Sequence, residues 1–106
     1  MTDLALTGFL GLSAALLGIG LFGILTRRNF ILLLIAVEIA MNAAILNFVY
    51  FAAFPASGTS GLNGQAIAVV LVGFAATEVA VGLAIVLALN RLKGTINVAQ
   101  ATDLRL

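Results

Sequence analysis

The sequence is 106 residues long, 63% hydrophobic and only 8% charged, with a net charge of +1. A water-soluble domain keeps about a quarter of its residues charged, so this chain has too little polar surface to coat a globule and its solvent is lipid. The near-zero charge offers nothing to a nucleic acid, and the absence of Cys and His removes the thiolates and imidazoles of haem, iron–sulfur and zinc sites and the usual nucleophile–base pairs of hydrolases.

The first apolar run extends from Leu4 to Thr26. Only Asp3 precedes it in place of a basic segment, and it exceeds the roughly 7–15 apolar residues of a signal peptide, so it reads as a retained helix. Gly8, Gly11, Ala14, Ala15 and Gly18 fall on one of its faces at steps of three and four, a small-residue stripe suited to close helix packing within the chain or to a neighbour. The run stops at Arg27-Arg28-Asn29, a topology anchor. A second run, Phe30 to Phe54, carries Glu38, Asn42 and, near its far end, Tyr50, which suits an interfacial aromatic belt. Pro55 opens a turn-rich loop to Gln65, and the third run, Ala66 to Leu89, carries Glu78 and stops at Asn90-Arg91.

Each run exceeds the ~20 residues that span a ~30 Å hydrocarbon layer, and none alternates in polarity as a membrane β-strand does. The expected fold is an all-α membrane protein of one domain, 1–106, with three transmembrane helices at about 4–26, 30–54 and 66–89. A tail at 91–106 is expected to lie along a partner or the membrane surface. Arg27 and Arg28, and Arg91 and Lys93, fall on the same side of a three-span chain, while the other side carries no Lys or Arg. The positive-inside rule therefore places the N-terminus outside, in the periplasm, and the C-terminus in the cytoplasm.

Glu38 and Glu78 are the only charged residues inside the spans. Each costs at least ~2.5–3.5 kcal/mol at the bilayer centre. At a rise of 1.5 Å per residue, Glu38 lies about 12 Å and Glu78 roughly 18 Å from the same membrane face, so the two acids sit at comparable depth. Asn42, four residues after Glu38, supplies a polar neighbour. Beside Glu78, Thr77 adds a hydroxyl, and Ala75 and Gly82 leave room for a helix or water. Two acids at one depth suit a proton relay; the competing reading is that each is neutralised by a cation of another subunit, in a structural role.

Several stretches together resemble the NuoK family, the smallest membrane subunit of proton-pumping NADH:quinone oxidoreductase (respiratory complex I). They are Arg27-Arg28-Asn29, Glu38-Ile39-Ala40-Met41-Asn42-Ala43-Ala44, Gly64-Gln65 and Ala75-Ala76-Thr77-Glu78-Val79-Ala80-Val81-Gly82-Leu83-Ala84. The resemblance implies a multi-pass protein of the bacterial cytoplasmic (inner) membrane beside NuoJ-, NuoA-, NuoN- and NuoH-like subunits. It implies that Glu38 and Glu78 transfer protons, with Arg27, Arg28 and Asn42 supporting. It implies no metal or cofactor on this chain, with NADH, FMN, iron–sulfur clusters and quinone elsewhere in the complex. The loop from Phe54 to Gln65 looks longer than the family's usual connection. Related ferredoxin-dependent and archaeal deazaflavin-dependent enzymes use similar subunits, so the electron donor is not read from this chain. Three alternatives stand beside this reading. One is a small subunit of a multi-subunit Na⁺/H⁺ antiporter, against which Glu38 speaks. Another is a structural assembly subunit. The last is an ATP synthase ring subunit, whose two helices and single carboxylate fit poorly.

Overall fold

The computed structural model describes residues 2–55, 61–94 and 96–99. They form three helices: α1 (Thr2–Thr26), α2 (Phe30–Ala53) and α3 (Gly61–Lys93). All three are long and apolar enough to cross a membrane. The third helix departs from expectation at both ends. The segment Gly61 to Gln65, expected as loop, is already helical. Gly64 lies so close to α2 that a Cβ there would stand 2.9 Å from the Ala52 Cβ, so close helix packing outweighs the glycine's poor helix propensity. At the other end, Arg91 and Lys93 belong to the last turn of α3 rather than to a tail, where cations complement the helix dipole.

The central helix is α2, flanked by α1 and α3. Its α1-facing stripe is Ala36, Ala40, Ala43, Asn47 and Tyr50, in alternating steps of four and three. Against it lie Phe9, Ser13, Gly20 and Gly23 of α1. A Cβ on Gly20 or Gly23 would come within 2.7 Å of Ala40 or Ala36, and buried Ser13 donates its hydroxyl to the Ala43 carbonyl at 2.9 Å. The small-residue stripe at Gly8, Gly11, Ala14, Ala15 and Gly18 is therefore not the seam within the chain. Those residues are exposed, and a Cβ on any of the three glycines would meet nothing within 4 Å. Tyr50 is 5% exposed and packs on Phe9, ring centroids 4.8 Å apart.

The second seam sets Leu34, Glu38, Met41, Ile45 and Ala52 of α2 toward Gly64, Ala68, Ala75, Gly82, Val86 and Leu89 of α3. Gly82 faces Leu34, whose Cδ1 would lie 2.6 Å from an added Cβ.

Loop and tail close the end where α1 meets α2. Asn29 caps α2, its side chain accepting from the Ile31 and Leu32 N–H groups at 2.9 and 3.4 Å. Gly94, at φ 65°, ends α3 with its N–H donating to the Asn90 carbonyl at 2.8 Å. The chain then turns back and pairs antiparallel with the loop, Asn29 opposite Asn97. The Phe30 N–H donates to Ile96 and the Val98 N–H to Arg28, at 2.9 and 2.6 Å. This start of the tail thus lies along the chain's own loop; residues 100–106 fall outside the described residues.

Candidate functional site

The α2/α3 seam fixes how the two acids relate. Leu34 faces Gly82 at one end of it and Ala52 faces Gly64 at the other. Between these contacts each helix advances eighteen residues in opposite directions, so one register holds throughout. One helical turn from the Leu34–Gly82 contact, four residues on along α2 and four back along α3, lie Glu38 and Glu78. The acids are level.

Their surroundings differ. Glu38 is half-buried, between Leu34 and Met41 on the stripe facing α3. Glu78 is exposed at the rim of the seam, in a groove of about 630 Å³ lined by Leu34 and Met41 of α2 and by Phe74, Thr77, Val81, Gly82 and Ile85 of α3. Among the described residues it is the one ionisable residue lining that groove. Among the described residues, no hydrogen bond or ion pair reaches either carboxylate. An ionised carboxylate with apolar walls and no partner is costly, so each must bind a proton, water or a group from another chain.

The polar neighbours do not all fall where helical spacing suggested. Asn42 is exposed on the flank of α2; the stripe facing α3 continues through Met41, three residues after Glu38, and not through the fourth. Thr77 donates its hydroxyl to the Phe74 carbonyl of its own helix at 2.8 Å, leaving only its oxygen lone pairs for a ligand. The room beside Ala75 and Gly82 is taken by α2: Ala75 is buried and Leu34 fills the notch at Gly82. Arg27 and Arg28 are exposed in the loop, a helix's end away from both acids.

Two polar residues escaped the sequence reading, Ser13 and Asn47. Both lie in the α1/α2 seam, and among the described residues the buried Asn47 Oδ1 has no hydrogen-bond partner. The available signal was position: each falls on a stripe of small and aromatic residues at helical spacing, where a polar side chain in a membrane helix bonds across an interface.

The sequence also has known relatives. The family model described as NADH-ubiquinone/plastoquinone oxidoreductase chain 4L matches residues 8–106. The chain belongs to that family. A protein named NADH-quinone oxidoreductase subunit K, from Anaeromyxobacter sp. (strain K), is 48% identical over 85% of this chain and 87% of its own. Subunit K 1 from Syntrophobacter fumaroxidans is 45% identical over 94% and 96%, and subunit K from Thermomicrobium roseum 39% over 99% of both. Family and fold together make this chain a multi-pass protein of the bacterial inner membrane, from a family of NADH-quinone oxidoreductase membrane subunits. The antiporter alternative loses its ground.

Proposed function

We propose that this subunit passes protons through the membrane arm by way of Glu38 and Glu78, and that it has no redox centre of its own. The level placement of the two acids across the α2/α3 seam carries the reading. Half-buried Glu38 exchanges a proton with Glu78, and Glu78, at the rim, exchanges with groups of a neighbouring subunit. Arg27 and Arg28 support the site from the loop, and Asn42 offers its amide to water or a neighbour on the flank of α2. The neighbours are NuoJ-, NuoA-, NuoN- and NuoH-like chains. Iron–sulfur clusters bind elsewhere in the complex, since a chain without Cys or His offers none of their usual ligands; quinone, flavin and NADH are assigned to other subunits as well. By the positive-inside rule, the basic residues at the loop and at the end of α3 support a cytoplasmic position for that end and a periplasmic N-terminus.

Glu38→Gln keeps the side chain's size and removes its exchangeable acid. In the assembled complex it is expected to abolish coupled proton pumping, measured as a quenched pH-sensitive dye in vesicles, while subunit content stays normal. Full pumping in this variant would overturn the reading. A complex that loses subunits in both Glu38→Gln and Glu78→Gln would favour the structural role instead.

A further inference from the structure

The loop and the returning tail build an end of the molecule away from Glu38 and Glu78. A cleft of about 390 Å³ opens there, lined by Arg27, Arg28, Asn29 and Asn97, with Leu32 and Ile96 on its apolar side. Both arginines are exposed, and among the described residues neither has an ion-pair partner. Arg91, in the last turn of α3, adds positive charge at the same end. The positive end of the α2 dipole points the same way. Adjoining this cleft, and sharing Arg27 and Leu32 with it, a second groove of about 310 Å³ runs down between α1 and α2 past Phe22, Ile35 and Ile39. A doubly cationic, amide-lined cleft continuous with an apolar groove matches an amphiphile.

We propose that this edge holds an anionic phospholipid, its phosphodiester between Arg27 and Arg28 and one acyl chain along the α1/α2 groove. Guanidinium groups bind phosphate oxygens in pairs, and basic pockets beside membrane helices hold anionic headgroups. The apolar groove selects a lipid over free phosphate, which needs no such surface. The tail is part of the site: the Val98 N–H bond to the Arg28 carbonyl brings Ile96 and Asn97 up as the cleft's far wall.

The full chain in neutral detergent, titrated with phosphatidylglycerol or phosphatidylcholine and followed by native mass spectrometry, tests this. Phosphatidylglycerol is expected to bind about 30-fold more tightly than phosphatidylcholine, two cationic contacts' worth. Arg27→Gln/Arg28→Gln should erase that preference, and Val98→Pro, which keeps every charge but removes the N–H, should weaken it. Equal binding of both lipids by the unaltered chain overturns the proposal. So does a preference untouched by Val98→Pro, which would mean diffuse charge attraction, or inorganic phosphate displacing the lipid at millimolar concentration, which would mean a free-anion site. A photoactivatable phosphatidylglycerol added to the intact complex gives a readout that needs no variant: lipid adducts on the peptide holding Arg27 and Arg28 support the site, and adducts confined to other peptides and chains overturn it.

Discussion

A methyl group added at Gly20 would meet the Ala40 backbone nitrogen at 2.7 Å and the Ala36 carbonyl oxygen at 2.9 Å. One added at Gly82 would meet only the branched end of the Leu34 side chain, which can rotate aside. The same substitution therefore has different consequences at the two positions. Gly20→Ala forces backbones apart and is expected to destabilise the chain by about 1–3 kcal/mol. Gly82→Ala trades a small rearrangement against the roughly 0.5–1 kcal/mol that alanine gains over glycine inside a helix, and should be near neutral. Unfolding of each variant in mixed micelles, followed by far-ultraviolet circular dichroism, checks the ranking; equal losses would mean that the α1/α2 seam is looser than these contacts imply. Ser13→Ala probes the same seam more gently. It removes one interhelical hydrogen bond, worth on average about 0.6 kcal/mol in membrane proteins.

At the scale of the helices, ends matter as much as faces. Asn29 satisfies two N–H groups of α2 while its backbone pairs with Asn97, so one residue both starts a helix and seats the tail. Asn29→Ala is expected to cost about 1 kcal/mol, read in the same unfolding assay, whereas Asn29→Asp keeps the capping oxygen and should cost little; a neutral Asn29→Ala would show that the tail pairing alone orders this end. These elements also mark what could be read in the sequence. The existence of three helices and the matched depth of Glu38 and Glu78 follow from apolar run length and the fixed rise per residue, both carried by the residues themselves. Which residues face which helix is less legible, because an extended seam alternates steps of four and three. Asn42, one residue past Met41 on the stripe, thus lands on the flank, and the conspicuous glycines of α1 at 8, 11 and 18 lie away from the seam while Gly20 and Gly23 form it. The tail's return was not legible at all, since it is held by backbone bonds between Arg28–Phe30 and Ile96–Val98 that leave no side-chain signature.

Taken whole, the molecule buries little of itself. Its accessible surface is 7355 Å², against about 5,600 Å² for a water-soluble globule of its mass. Large apolar side chains such as Phe22, Phe74, Val69 and Leu87 stand more than half exposed. Lipid can cover these, but it cannot serve Glu78, which sits at the open rim of the α2/α3 groove without a partner among the described residues. An acid facing acyl chains at mid-membrane costs several kcal/mol, about 2.5–3.5 on insertion scales, so in the complex the groove must be covered by a chain that brings polar groups or water to it. A photo-crosslinking amino acid placed at Phe74, on the groove's wall and 64% exposed, is therefore expected to capture a neighbouring membrane-arm subunit in the assembled enzyme. The same residue in the lone chain should capture only lipid or detergent. If the assembled enzyme also yields lipid alone, Glu78 opens onto the bilayer and not onto a partner, and proton exchange between this subunit and its neighbour has to run through Glu38 instead.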